Sequence, residues 1–215
     1  MQGVNNSMAV YKTDVYEWGQ SLTGSIATSL AEHFLREAYY TAATSPDSSN
    51  QCGAVLTSPW HGNPNHDSSG LFIAARSCNN FHPSIIKQYG IKKLLENRDL
   101  KLTYIHHAER NVIYELIRNN VMSGNNRIEP QHCIMYCPWF ACMECAKTIE
   151  GVGIKTIIGH QQRMDLTPER WIKSIKRGID YLIQCGVTVR FFDGPIPDCP
   201  NIIVNGKEWN PGTLK

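Results

Sequence analysis

Two short apolar runs flank one long amphipathic stretch late in the chain, and this unit constrains the fold more than any other feature. The runs are "KTIIGH" at residues 155–160 and "VTVRFF" at residues 187–192; the stretch between them extends from about residue 167 to 184. A strand, a helix and a strand joined without a hairpin turn form a right-handed crossover, so the two strands lie parallel in one sheet.

The rest of the sequence supplies partners for that unit. "CGAVLTS" and "GLFIAARS" are apolar runs separated by the polar "PWHGNPNHDSSG", which predicts an antiparallel hairpin with a long loop. "HCIMYC" is a buried strand. Residues 21–44 place Ile26, Leu30, Phe34 and Leu35 at near-helical spacing, and "SPDSSN" ends that helix with turn chemistry. "HHAERNVIYELIRNN" predicts a second major helix through Val112, Ile113, Leu116 and Ile117, and "CMECAKTIEGVG" another, closed by glycines. The expectation is a three-layer α-β-α domain over residues 1–215, around a mixed five-stranded sheet whose fourth and fifth strands are parallel. Its core spans about 21–192. Residues 80–103 form a polar, basic insertion, helical around Ile91 to Leu95, and the Pro, Asn and Gly-rich tail 193–215 wraps the domain or an oligomer partner.

Composition excludes rather than selects. A chain of 215 residues with 42% hydrophobic and 19% charged residues buries one substantial core, and its net charge of +2 does not call for a nucleic-acid partner. No run approaches the roughly 18 apolar residues of a membrane span, and no apolar segment follows a basic start. The sequence thus predicts a soluble, cytoplasmic protein, in which the Asn5-Asn6-Ser7 sequon carries no weight. Eight cysteines scattered over a chain of this size are expected to be free thiols or metal ligands.

Cys142 and Cys145, in "CPWFACMECAK", stand one helical turn apart at the start of a helix. They can be a zinc knuckle, a redox pair or half of a catalytic metal site. A thioredoxin-like redox pair belongs near the chain start, in a different alternation of elements. A catalytic zinc needs three ligands and an open position, and His107 in "HAE" is the best third candidate. Helix starts offer unpaired N–H groups and a partial positive charge that favour thiolates. His107 and Glu109 are rotated by about 200° in mid-helix, but at a helix entrance both can flank one ligand. Three ligands, an open position and an adjacent carboxylate have the composition of a hydrolytic site.

"HAE" followed by "ACMECA" resembles the signature of the zinc-dependent cytidine and deoxycytidylate deaminase superfamily, H-x-E with P-C-x-x-C. "DSSNQCGAVL", "SCNNFHP", "HAERN" and "CAKTIEGVGIKTII" are similar to further family segments, so the likeness covers roughly residues 21–192. The parallel last strands agree with the deoxycytidylate and tRNA-editing branch. Two departures are visible: Ala141 replaces the proline before the first cysteine, and "SCNNFHP" lacks the family's turn glycines, so the likeness does not carry over feedback control by dCTP and dTTP.

The resemblance implies a hydrolase with a Zn2+ cofactor held by His107, Cys142 and Cys145, and with Glu109 as the proton carrier. It implies deamination of the nucleotide dCMP to dUMP and ammonia, by a homo-oligomer. Asn79 corresponds to the family residue that meets the sugar, or else is a turn-former. Ala54 corresponds to the small residue that lets the pyrimidine lie over the zinc, Ala108 lies between two site residues and is a substrate-contact candidate, Trp139 and Phe140 are candidate pocket walls, and Arg110 and Lys87, with Lys92, Lys93 and Arg98 behind them, are candidate phosphate contacts. His106 would leave Glu109 at the wrong offset and reads as a strand-end or core histidine. No pair spacing unites His61, His66, Cys52, Cys78, Cys133 and Cys137 into a second zinc site. The alternatives are a same-fold deaminase of another nucleotide, nucleoside or nucleic-acid base, and a catalytically silent zinc-stabilised binding module.

Overall fold

The apolar runs pair in the expected directions. The computed structural model describes residues 20–21, 25–59, 70–123 and 127–213. In chain order the elements begin with β1 (Gln20–Ser21), α1 (Ser25–Ala43), β2 (Gly53–Pro59), β3 (Leu71–Cys78) and β4 (Asn80–Phe81). The insertion follows as α2 (Pro83–Tyr89), α3 (Ile91–Glu96) and α4 (Arg98–Tyr104). Then come β5 (Ile105–His106), α5 (Ala108–Met122), β6 (Ile134–Tyr136), α6 (Met143–Gly151), β7 (Thr156–His160), α7 (Gln161–Asp165), α8 (Glu169–Gln184), β8 (Thr188–Phe192), β9 (Ile202–Val204) and β10 (Lys207–Trp209).

The main sheet has the order β1-β8-β7-β6-β2-β3. β2 is antiparallel to β3 and β6, whereas β6, β7 and β8 run parallel. The mixed five-stranded sheet with its parallel last strands is therefore present, and β1 adds a two-residue parallel strand beyond β8. Ser21, expected to start the first helix, belongs instead to β1.

Strand alternation sorts the core into two layers. Ala54, Leu56, Met135, Ile157 and Phe191 pack with α5, α6 and α8, through Val112, Leu116, Ile149, Ile175 and Ile179. Their neighbours Val55, Tyr136, Ile158 and Phe192 face α1, through Phe34, Leu35, Ala38 and Tyr39. Gly53 lets α1 come that close: a Cβ there would lie 2.1 Å from the Ala38 carbonyl oxygen.

The insertion forms three short helices over a small core of Phe81, Leu94 and Ile105. The tail has more structure than its composition suggests. β9 and β10 pair as a hairpin that buries Ile202 and Val204 against α1, and Asn205 and Gly206 adopt the positive φ of its turn. Backbone bonds from Gln51 to Ile203 and from Gly206 to Ser49 tie this hairpin to the loop before β2. Residues 60–69, with His61 and His66, and the sequon at 5–7 lie outside the described residues.

Candidate active site

Two helix entrances face one another at the end of the sheet. His107 is the N-cap of α5 and Cys142 the N-cap of α6, each with extended backbone. β4 and β5 pair Asn80 with His106 and fix the approach to α5, and Asn111 donates from Nδ2 to the Cys78 carbonyl to hold that helix on β3. Of the two readings of His106, strand end or core, the structure shows the first: it is the exposed end of β5.

His107 Nδ1 lies 3.5 Å from Cys142 Sγ and 3.4 Å from Cys145 Sγ. A tetrahedral zinc with ordinary Zn–N and Zn–S distances requires N···S edges of about 3.6 Å. The donor set therefore fits zinc in both chemistry and spacing. Among the described residues this is the one cluster of three metal-binding side chains. Cys52 and Cys137 approach to 3.9 Å between sulfurs but gather no third ligand.

Close contact among the three side chains pulls their protonation apart, and only Cys142 is held in its metal-binding form. The contact with Cys145, followed by that with His107, holds Cys142 down to about 4 despite its burial. Burial works against a charged His107, yet the Cys142 contact and the Glu109 charge raise it to about 9. Cys145 is raised, first by sharing its proton with Cys142 and then by burial. Glu109 is 4% exposed; burial raises its carboxyl, and the His107 charge acts in the opposite direction.

These groups open onto a cavity of about 310 Å³, whose wall includes His107, Ala108, Glu109, Cys142, Trp139, Phe140 and Asn79. Cys145 lies behind the wall, fully buried. Phe140 stacks on Phe191, and Trp139 donates from Nε1 to Thr167 Oγ1 at 3.0 Å. Asn79 accepts from the Cys52 backbone N–H through Oδ1 and donates from Nδ2 to Asp47 Oδ2 and the Asn50 carbonyl, so it braces the 47–52 loop.

Three expectations need correction. Ala54 is fully buried in the core and does not line the cavity; Cys52, in the loop just before β2, does. Neither Lys87 nor Arg110 lines it either. Lys87 ends α2 on the exposed side, and Arg110 is half-buried in the first turn of α5, where its Nε finds no partner. The cations on the wall are Arg98 and Lys101 from α4 and Arg170 from α8. Arg170 carried no sequence signal, since a cation in the first turn of an amphipathic helix reads as a solvated face.

A family model of the cytidine and deoxycytidylate deaminase zinc-binding region matches residues 28–161. The chain belongs to this family. It is accordingly a zinc-dependent deaminase, a hydrolase with Zn2+ as its cofactor. Deoxycytidylate deaminase of Homo sapiens is 28% identical over 182 residues, covering 81% of this chain and 84% of that protein. The Mus musculus protein of the same name is 31% identical over 135 residues, covering 59% of this chain and 62% of its own length. The apo crystal structure of dCMP deaminase from the cyanophage S-TIM5 is 19% identical, covering 76% of this chain and 97% of that one, with a TM-score of 0.47. No helix among the described residues is long and apolar enough to cross a membrane.

Proposed function

We propose that this deaminase converts dCMP to dUMP and ammonia, with His107, Cys142 and Cys145 holding zinc and Glu109 carrying protons. One observation carries the reading. The cavity that exposes His107, Glu109 and Cys142 is also lined by Arg98 and Arg170, and neither guanidinium makes a hydrogen bond or ion pair with another described residue. Lys101, by contrast, is committed to Asp47. Two uncommitted guanidinium groups beside a base-sized site suit a 5′-phosphate, to which arginine can donate in bidentate fashion. Relatives named deoxycytidylate deaminase support the same substrate.

Bound zinc supplies Lewis acidity that brings the pKa of water to about 7. The chain's own groups do the rest. Glu109 takes a proton from the attacking water and delivers it to N3 as the water oxygen bonds to C4. It then carries the second proton of that water, from the new C4 hydroxyl, to the amino group. The C4–N bond breaks, ammonia leaves and the ring carbonyl forms. Ala108 leaves room for the ring beside Glu109, and Trp139 and Phe140 wall it from solvent. Asn79, with both amide hydrogens engaged, retains only oxygen lone-pair capacity toward the sugar.

The test is ammonia release by the zinc-loaded protein from dCMP, CMP, dCTP, deoxycytidine, cytidine and a cytosine-containing oligonucleotide, with Glu109→Gln beside it. Turnover of dCMP far above that of deoxycytidine, lost in the variant, is the expected result. Equal turnover of nucleoside and nucleotide would overturn the phosphate requirement, and silence across the panel in folded, zinc-containing protein would overturn the substrate.

A further inference from the structure

Arg163, on α7, is 1% exposed and heads the described residues in size among fully buried side chains. Among the described residues no carboxylate lies within ion-pair distance of it, and its Nη1 has no hydrogen-bond partner. Its nearest ionisable neighbours include Tyr39 and Cys137, which burial keeps neutral. A buried charge so poorly compensated is costly, and an apolar side chain of similar volume commonly serves stability as well or better. Core packing alone does not account for it.

Its two specific contacts do. The guanidinium stands over the Trp139 ring at 4.3 Å, and Nη2 donates to Asn50 Oδ1 at 3.2 Å. Trp139 and Asn50 both line the active-site cavity. The edge of the same indole is held by Thr167, four residues after Arg163 on the connection between β7 and α8. Arg163 thus grips the face of the indole while Thr167 grips its edge. Asn50 Oδ1 also accepts from the Asn205 backbone N–H, so this contact joins the cavity loop to the tail hairpin. Arg163 and Thr167 both lie beyond the residues matched by the family model, which end at 161.

We propose that Arg163 is a positioning residue for substrate binding, fixing Trp139 and Asn50 as the wall against which the base and sugar seat. It touches no reacting atom and acts through those two side chains. The inference rests on the deaminase reading of the cavity but not on dCMP in particular, so its test uses whichever compound of the panel the wild-type protein turns over. A failure of dCMP then moves the substrate and leaves this test standing.

Arg163→Met keeps the volume and removes the charge and the planar stack. The expected result is a KM raised about tenfold, the loss of one well-placed contact, with kcat within about twofold and thermal stability unchanged or higher. In a Trp139→Leu background the same substitution should add less than about twofold to KM, because the group it acts through is gone. Thr167→Val releases the indole edge while leaving the buried charge in place, and should raise KM in the same direction; it also serves if the Arg163 variant does not fold. Unchanged KM in folded Arg163→Met, an unchanged KM in Thr167→Val, or a full tenfold effect persisting without Trp139 would each overturn the proposal.

Discussion

His107 Nδ1 lies 3.4 Å from Cys145 Sγ, although 38 residues separate the two along the chain. Two helix entrances, α5 and α6, create that approach, and the metal-free protonation pattern follows from it. At pH 7, His107 (about 9) holds its proton, Cys142 (about 4) has lost its own, and the raised Cys145 keeps its thiol. Zinc needs neutral imidazole and two thiolates. Loading at pH 7 is therefore expected to release two protons from the ligands, one from His107 and one from Cys145, beside the fraction that zinc-bound water gives up. The release should decline above about pH 9 as His107 arrives already neutral, and zinc affinity should collapse on acidification toward about pH 4 as Cys142 also protonates. Calorimetry in buffers of different ionisation enthalpy counts the protons, and a release of none at pH 7 would contradict this pattern.

Glu109 makes a sharper separation between metal and chemistry. Glu109→Gln keeps the shape of the cavity wall and all three metal-binding side chains, so zinc content measured by mass spectrometry should equal that of the wild type. Ammonia release should fall by about 10²–10⁴-fold, the usual worth of a positioned proton carrier. Retained near-wild-type turnover would remove Glu109 from the mechanism.

Arg98 and Arg170 can be separated from the chemistry by comparing substrates. Each arginine-to-alanine variant is expected to raise KM for dCMP about three- to tenfold, a modest effect because both side chains are exposed. Any slow turnover of deoxycytidine should be unaffected. An equal loss on nucleotide and nucleoside would show that these residues act on the fold of the cavity and not on the phosphate.

Lys101 and Asp47 test the link between the insertion and the cavity loop. Asp47 is buried and accepts from the backbone N–H groups of Ser49 and Asn50, from Asn79 and from Lys101. Lys101→Met leaves that carboxylate without a counter-charge but with three N–H donors. Destabilisation of about 2–3 kcal/mol, below the full cost of an uncompensated buried ion, is expected in urea denaturation. The Asp47→Asn, Lys101→Met double variant should recover part of it, so strict additivity would show that the two charges are not coupled.

Gly178 places α8 against the loop that carries Cys142. A Cβ at this position would lie 2.3 Å from the Ala141 carbonyl oxygen, a backbone atom that cannot swing away. Gly178→Ala is expected to cost about 1–3 kcal/mol and to speed zinc loss to a chelator, since the first cysteine rides on the displaced loop. Gly151→Ala, at the end of α6 where a Cβ meets nothing within 4 Å, is the matched control and should leave zinc loss unchanged and stability equal or up to about 1 kcal/mol higher.

The extent to which this protein could be read from its residues follows from how local each signal is. The parallel pair β7 and β8, the antiparallel β2 and β3 and the major helices are set by apolar spacing within single segments, and all are present with ends displaced by a few residues. The meeting of His107, Cys142 and Cys145, with Glu109 on the same cavity wall, was legible because metal chemistry restricts residue types severely and helix entrances restrict spacing. Phosphate contacts had no such signature. Lysines and arginines scattered through polar segments look alike in sequence, so of the candidates Lys87, Lys92, Lys93, Arg98 and Arg110 only Arg98 lines the cavity, and Arg170 joins it without a sequence signal.

The sequence by itself thus determined the major helices and five central strands, the parallel direction of the last two and the grouping of His107 with Cys142 and Cys145, all of which depend on short-range periodicity or on a few obligate side-chain types. Tertiary structure alone decided what surrounds them. It folded the tail into a hairpin against α1, gave Asn79 the task of bracing a loop, put Cys52 rather than Ala54 on the wall, and buried Arg163 from the polar run "GHQQRMD" beneath Trp139. Those outcomes depend on which surfaces meet after the layers pack, and long-range contact of that kind leaves no periodic trace in the chain.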